Sequence, residues 1–361
     1  MGALKQAPRA AISQHALHAW LLLLPALVLL IAFTHWPALA TLIDSFFSIP
    51  RGTRPGVWVG PENYQVMVQD PVFWQAVRNN LWFAGATIPL SIGLALLMAL
   101  WVNEQLRGRA LVRMAYFTPT VLPMIAVANI WLFFYTPQYG LLEQITGALG
   151  LPSHNWLGDP RTALACITLV AVWKEAGFFM IFYLAALQTL NPSLKEAAAI
   201  EGASRWYYFR RVQWPLLMPT TLFVLVNAVV NAFRLVDHVF IMTRGGPDNA
   251  STLLLYHLYE VGFKFWDTGY AAAITVVLVV VLASVALFQF FVLDKMFAFI
   301  QGFTPASVAA TPDIASYVEA ILSLYLAFGL AFQVPIVVVL LVKMKMVTVK
   351  QLKEFRGYFI V

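Results

Sequence analysis

Long uncharged stretches recur along this chain, and each is about 20 residues or more in length. Folded as an α-helix, such a stretch crosses the roughly 30 Å of hydrocarbon in a bilayer. One of them, from 161 to about 190, also contains Lys174 and Glu175. The sequence therefore predicts membrane-spanning helices within 9–44, 78–104, 113–143, 161–190, 211–234, 267–294 and 319–343.

Composition excludes an ordinary soluble globule. Of the 361 residues, 61% are hydrophobic and 11% are charged, whereas soluble domains carry about 45–50% apolar and about 25% charged residues. The first apolar stretch is too long for a signal peptide and is followed by no clear cleavage pattern, so we interpret it as an uncleaved anchor. The predicted fold class is an all-α polytopic membrane protein.

Catalytic and nucleic-acid functions have little support. The net charge of +6 comes from basic residues spread over loop ends, without the basic patch that nucleic acid requires. No Gly-Lys pair is present, so the chain lacks a phosphate-cradling nucleotide loop. The histidines are dispersed and the single cysteine, Cys166, cannot form an internal disulfide. We expect no catalytic residue, no metal site and no cofactor in this chain.

Lys and Arg are unevenly distributed between successive loops. They concentrate at the N-terminus, at 107–113 and at 195–211, and are sparser in 137–161 and 244–268. Because cytoplasmic loops are enriched in Lys and Arg, the N-terminus and the 195–211 loop are predicted to be cytoplasmic.

The 195–215 loop is unusually polar for this chain. Ser193 followed by Glu196 has the spacing of a capping box, which would start a helix. Gly202 would stop that helix because glycine tolerates the left-handed conformation of a C-terminal cap. Ser204 would start a second short helix ending near Pro215. Two interpretations remain for this helix pair: an amphipathic element resting on lipid, or a docking surface for another protein.

The loop resembles a known motif, the cytoplasmic EAA loop of permease subunits of ABC importers. Glu201 replaces the usual Asp and keeps its charge, and Trp214 replaces a usual Leu. Residues 58–83, 172–199 and 233–263 are similar to the carbohydrate branch, and the resemblance, over about 10–296, is closest to glycerol-phosphate and maltose-type permeases. The positions that carry the motif are Glu196, Ala197, Ala198, Glu201, Gly202, Ala203, Phe209 and Pro215.

The resemblance implies a machine of several chains in the bacterial inner membrane. The EAA loop would dock in a groove of a cytoplasmic ATPase, which hydrolyses the ATP. The partners would be a second permease subunit, two ATPase subunits, a periplasmic solute-binding protein and membrane lipid, with no nucleic acid. The imported solute would be a carbohydrate, a sugar phosphate or glycerol phosphate.

Charged and polar residues inside the spans are candidates for the solute pathway, since ionisable groups at bilayer depth usually face a cavity or a partner. Lys174 lies in the fourth span, and Asn231, Arg234 and Asp237 lie near the end of the fifth. A structural alternative stays open, in which Lys174 and Glu175 pair with neighbouring helices and Arg234 and Asp237 neutralise each other.

The C-terminal segment departs from a six-helix permease. The segment 302–361 resembles a central piece of the C subunit of the twin-arginine translocase, with Gln333 where that family has an intramembrane Glu. We divide the chain into a permease domain, 1–296, and a partial translocase-like segment, 297–361, which adds a seventh helix. A seventh crossing would leave its basic residues outside, against the charge trend. A natural fusion, a join in the coding DNA and a segment that does not span all remain open. Two further function classes remain, a protein-export component and an ion-coupled carrier, which would need no docking loop.

Overall fold

The computed structural model describes residues 23–49, 56–104, 109–150 and 152–302. These residues are helical, apart from loops and one isolated bridge between Phe47 and Trp58. The helices are α1 Leu23–Asp44, α2 Glu62–Gln69, α3 Pro71–Asn103, α4 Arg109–Val121, α5 Met124–Tyr135, α6 Leu141–Ala148, α7 Ala163–Thr189, α8 Pro192–Ile200, α9 Arg205–Tyr208, α10 Trp214–Arg234, α11 Asp237–Met242, α12 Leu254–Tyr259 and α13 Thr268–Gly302.

The prediction of a polytopic all-α protein is confirmed. Five helical segments of the described chain are long and apolar enough to cross a membrane, or six if the bent pair α4–α5 forms one span. The chain divides into two compact units, Met1–Lys295 and Met296–Val361. The predicted seventh span, at 319–343, lies outside the described residues.

The first unit is built around α3, α7 and α10. The last turns of α3 and of α7 belong to one hydrophobic cluster, so these two helices run parallel. The cluster contains Ala99 and Val102 of α3 and Leu184 and Leu187 of α7. Helix α10 runs antiparallel to them. Leu217, near the start of α10, belongs to the same cluster. The end of α10 lies beside the early part of α3, where the Asn80 side chain donates a hydrogen bond to the carbonyl of residue 232. Helices α8 and α9 connect the end of α7 to the start of α10. We call this end of the bundle the α8–α9 end and the other the opposite end.

The bent pair α4–α5 lies along α7. Pro119 lies inside α4 and Pro123 caps α5, and the two helices meet at 102°. Because proline cannot donate a backbone hydrogen bond, the break leaves carbonyl groups without helical partners. The Lys174 ammonium donates to the carbonyls of Pro119 at 3.0 Å, Thr120 at 3.3 Å and Leu122 at 2.6 Å. A cation from α7 therefore satisfies the broken backbone, as the hydrocarbon region requires.

Helices α4 and α7 approach each other closely at Gly177. A Cβ atom built at this position would lie 2.3 Å from the backbone oxygen of Tyr116 and 3.1 Å from Oγ1 of Thr120. Only a residue without a side chain permits this contact, as is common where membrane helices pack tightly.

Candidate functional site

The N-cap of helix α8 lies two residues earlier than the sequence predicts. Asn191 Oδ1 accepts a hydrogen bond from the Ser193 amide at 3.0 Å, and Pro192 occupies the first turn. The predicted capping box of Ser193 and Glu196 is therefore wrong: Asn is a strong N-cap and proline is preorganised for the first helical position, so Ser193 already lies inside the helix.

Gly202 ends α8 as predicted. Its φ angle is +72°, in the left-handed region that glycine adopts at little cost. The Gly202 amide donates to the Ala199 carbonyl at 3.1 Å, and the Ala203 amide donates to the Ala198 carbonyl at 2.9 Å. This pair of bonds is the Schellman motif, which fixes a sharp turn between α8 and α9.

The second helix starts as predicted but does not end near Pro215. Ser204 Oγ accepts from the Tyr207 amide at 3.2 Å, capping α9. A π-helical turn, Phe209–Gln213, then leads directly into α10, with the Trp214 amide bonded to the Phe209 carbonyl. The wider turn accommodates Pro215, which has no amide hydrogen and would otherwise clash in an α-helix. The cytoplasmic helix predicted to stop here is continuous with the following span.

The loop presents an exposed surface that is partly apolar. Ile200 is 88% exposed, Trp206 is 68% exposed and Tyr207 is 57% exposed. Five more loop residues are also exposed, and three are half-buried. The exposed ones are Glu196, Ala197, Glu201, Gly202 and Pro215, and the half-buried ones are Ala198, Ala203 and Phe209.

Phe209 faces inward and anchors the loop. It packs against the cluster formed by α3, α7 and α10, and its ring centroid lies 5.6 Å from that of Trp206. Of the loop residues singled out from the sequence, Phe209 thus holds the turn to the bundle, while Glu196, Ala197 and Glu201 are exposed.

The intramembrane candidates do not form one group. Asn231 Nδ2 donates to Glu175 Oε2 at 2.6 Å, and both line a narrow cleft with Thr87 and Ser91. Lys174 instead faces the α4–α5 break, because adjacent helical residues point about 100° apart. The alternative that Lys174 and Glu175 pair with neighbouring helices is confirmed. Glu175 was not among the predicted candidates. An acidic residue within an apolar span could have indicated it.

Arg234 and Asp237 do not neutralise each other. The Arg234 side chain is exposed and Asp237 is half-buried, and none of the ion pairs formed in the described part of the chain joins them. The proposed mutual neutralisation of these two residues is therefore wrong. Both lie where α10 gives way to α11, within the described bundle.

A polar cluster at the opposite end of the bundle escaped the sequence analysis. Tyr270 donates from its hydroxyl to Asp70 Oδ2 at 2.6 Å, and His257 Nε2 lies 3.3 Å from the same oxygen. Asp70 Oδ1 accepts from the Val72 amide at 2.8 Å, which caps α3. These residues lie far apart in sequence, so no local pattern could have joined them.

Two family models match the chain. The first is the binding-protein-dependent transport system inner membrane component, which matches residues 91–298. The second is the Sec-independent protein translocase protein, which matches residues 255–361 and so agrees with the resemblance of the C-terminal segment.

Curated relatives match most of the chain. A probable ABC transporter permease of Pyrococcus horikoshii is 32% identical over 74% of this chain and 92% of its own length. The sulfoquinovosyl glycerol transport permease of Agrobacterium fabrum is 32% identical over 72% of this chain and 85% of its own length. The sn-glycerol-3-phosphate transport permease of the same organism is 31% identical over 76% and 94%.

A solved structure has the same fold. A bacterial ABC transporter that imports the acidic polysaccharide alginate contains a chain that superposes with a TM-score of 0.70 and 24% identity, over 78% of this chain and 96% of that one. The family model covers more than half of the present chain, and the relatives exceed 30% identity over nearly their full length. This chain belongs to the inner membrane components of binding-protein-dependent transport systems, the multi-pass permease subunits of ABC importers.

Proposed function

We propose that this chain is a permease subunit of an importer for a carbohydrate, a sugar phosphate or glycerol phosphate, driven by a separate ATPase. Relatives with 30–32% identity are named for sulfoquinovosyl glycerol, lactose, trehalose or maltose, and sn-glycerol-3-phosphate. The observation that carries the proposal is the exposed helix pair α8–α9. A Schellman turn connects its two helices, and the side chain of Ile200 is exposed at this turn.

The orientation follows from charge. Lys195, Arg205, Arg210 and Arg211 cluster at the α8–α9 end, and basic residues favour the cytoplasmic side. We therefore place this end and the N-terminus in the cytoplasm, and the opposite end in the periplasm.

The α8–α9 loop is the proposed ATPase-docking surface. Glu196, Ala197, Ala198, Glu201, Gly202 and Ala203 would contact the ATPase or shape the contact, and Phe209 and Pro215 would hold the loop to α10. Movement of the docked ATPase would reach the bundle through the continuous helix from α9 into α10. In this arrangement the present chain binds no cofactor, since ATP is used by the partner.

The solute would pass between this subunit and a second permease, after delivery by a periplasmic solute-binding protein. Asn231 is the strongest of the pathway candidates because it bonds to Glu175 inside the bundle. Thr87 lies beside this pair, and its Oγ1 has no hydrogen-bond partner among the described residues. Arg234 and Asp237 follow at the periplasmic end of the same helix. Lys174 would act on the path indirectly, by holding the α4–α5 break.

Bulk added to the docking surface tests the proposal. Ala197 on α8 and Ala148 on α6 are both exposed helical alanines, on either side of the membrane in this orientation. We expect the A197W variant to lose the ATPase that co-purifies with the wild-type chain, while A148W retains it. Equal ATPase recovery with both variants, at equal permease recovery, would refute the docking role of this loop.

A second candidate, a role in protein export, is favoured by the family match to residues 255–361. We propose that this segment is a partial translocase-like piece joined to a permease domain at about 296/297. Long-read sequencing of the locus decides between a fusion and a faulty join, since one uninterrupted frame with a matching full-length protein supports a natural fusion.

A further inference from the structure

A cavity of about 410 Å³ opens at the periplasmic end of the bundle, between the starts of α3 and α13 and the α12 segment. This volume falls within the range of pockets that take small molecules, about 300–1,000 Å³. Residues from distant parts of the chain meet there, so the bundle itself creates the cavity.

The polar wall consists chiefly of hydrogen-bond acceptors. Asp70, Glu260 and Asp267 contribute carboxylates, and Asn249 contributes an amide. Within the described lining, no Lys or Arg is present. Lys264 neutralises Glu260 in part, through a bond of 2.6 Å, but its side chain does not line the cavity.

His257 supplies an unpartnered polar atom to this wall. The residue is 5% exposed, and among the residues that the structure describes Nε2 has no hydrogen-bond partner, although Asp70 Oδ2 lies 3.3 Å away. A buried polar nitrogen without a partner is destabilising, so a ligand hydroxyl that bonded to it would recover the lost hydrogen-bond energy. Burial also lowers the pKa of His257, an effect that nearby Asp70 and Glu260 partly oppose, and the lowered pKa favours the neutral form of the ring.

The remaining wall is apolar and aromatic. Phe265 is 70% exposed and borders the cavity beside Val72 and Val261. Carboxylates, an amide and an imidazole around an apolar face suit a ligand with several hydroxyl donors on a hydrocarbon ring. A phosphate group would meet carboxylates without a compensating cation, which like-charge repulsion disfavours. A metal ion is a poor fit, since the described residues contain no group of three or more ligating side chains with suitable placement.

We propose that this cavity is a vestibule that binds an uncharged saccharide and rejects its phosphorylated form. The inference rests on the proposed function as a carbohydrate importer and narrows its solute class. The Asp267 carboxylate accepts hydrogen bonds from sugar hydroxyls, and His257 Nε2 forms one with a further hydroxyl. The carboxylates together set the preference against anions.

The variants H257F and D267N test the site directly. Asn is as good an N-cap as Asp, so D267N keeps the bond that Asp267 makes with the Tyr270 amide, while it removes the charge and one acceptor oxygen. The exposed carboxylate of Glu62, on α2 and outside the cavity lining, gives the matched control E62Q. Loss of one hydrogen bond weakens binding by up to about tenfold for a neutral partner such as His257, and by about tenfold or more for a charged one such as Asp267.

The measurement is equilibrium binding of tritiated maltose and tritiated lactose to the full chain in nanodiscs. We expect saturable binding of at least one disaccharide, weakened about tenfold in H257F and D267N and unchanged in E62Q. Unlabelled glucose should displace the label at a concentration where glucose 6-phosphate does not, and D267N should narrow this difference.

Three results would overturn the vestibule. The first is binding that neither lining substitution alters. The second is displacement of the label by the cation putrescine, or by the anion glucose 6-phosphate, at the concentration where glucose displaces it. The third is absence of saturable binding. Disaccharide uptake by the assembled importer, measured in parallel, separates the two proposals. Uptake with any of these results contradicts the vestibule alone, whereas failure to import any carbohydrate or glycerol phosphate contradicts the proposed function.

Discussion

The Lys174 ammonium lies 2.6 Å from the carbonyl oxygen of Leu122, at the point where α4 and α5 separate. The same ammonium also reaches the carbonyls of Pro119 and Thr120. A lysine in an apolar span is costly, and here it compensates for a break that costs hydrogen bonds of its own. The cation and the break therefore depend on each other.

The K174M substitution should destabilise the chain because three carbonyl oxygens lose their donor. We expect a loss of about 1–3 kcal/mol, seen as a lower unfolding temperature in detergent. The matched control is K264M, which removes an exposed lysine from its ion pair with Glu260, because ion pairs of solvent-exposed side chains contribute little to stability. Equal stability of both variants, with solute uptake lost only in K174M, would contradict the structural role and assign Lys174 to the solute pathway.

Gly177 should tolerate no side chain. In G177A the new Cβ would lie 2.3 Å from the Tyr116 oxygen, and overpacking of this kind costs about 1–3 kcal/mol. The control is G85A in α3, where a Cβ meets nothing within 4 Å; there the higher helix propensity of alanine should leave stability equal or raised. Thermal unfolding of both variants checks the prediction, which fails if G177A is as stable as G85A.

Stability should fall as pH drops below about 6.5, in part through His257. Burial holds the pKa of this ring below its ordinary value of 6.5. The unfolded chain therefore takes up a proton first, and the free energy of unfolding decreases as pH falls from the unfolded pKa towards the folded one. The H257Q variant should lose part of this slope between pH 7.5 and 5.5. An unchanged slope in unfolding temperature against pH would contradict the prediction.

The sequence was informative where chemistry is local. Gly202 and Ser204 predicted the turn between α8 and α9, because a left-handed C-cap and a side-chain N-cap each depend on only a few neighbouring residues. The same local reasoning failed at Ser193, where Asn191 and Pro192 compete more effectively for the helix start, and at Pro215, where a π-helical turn absorbs the proline without ending the helix.

Pairings between residues far apart in the chain could not be predicted from the sequence. Asp70 and Tyr270 form a hydrogen bond across the bundle. Lys174 and Glu175 have different partners because one side of α7 faces α4 and another side faces α10. These relationships depend on helix packing and rotation, which hydropathy alone does not determine.

The central claim is that the α8–α9 loop couples a separate ATPase to this bundle. Gly202 and Gly150 offer a matched pair, because each ends or follows a short helix with a φ angle of +72° and a Cβ at either position meets nothing within 4 Å. Valine at either site therefore strains the backbone to a similar degree without a clash, since β-branched residues rarely adopt positive φ.

The decisive measurement is solute-stimulated ATP hydrolysis by the complete importer in proteoliposomes, with G202V and G150V variants of this chain. We predict that G202V lowers stimulated hydrolysis at least about tenfold, equivalent to about 1.4 kcal/mol of coupling, while G150V keeps the wild-type rate. Wild-type hydrolysis in G202V, or equal losses in both variants, would contradict the account.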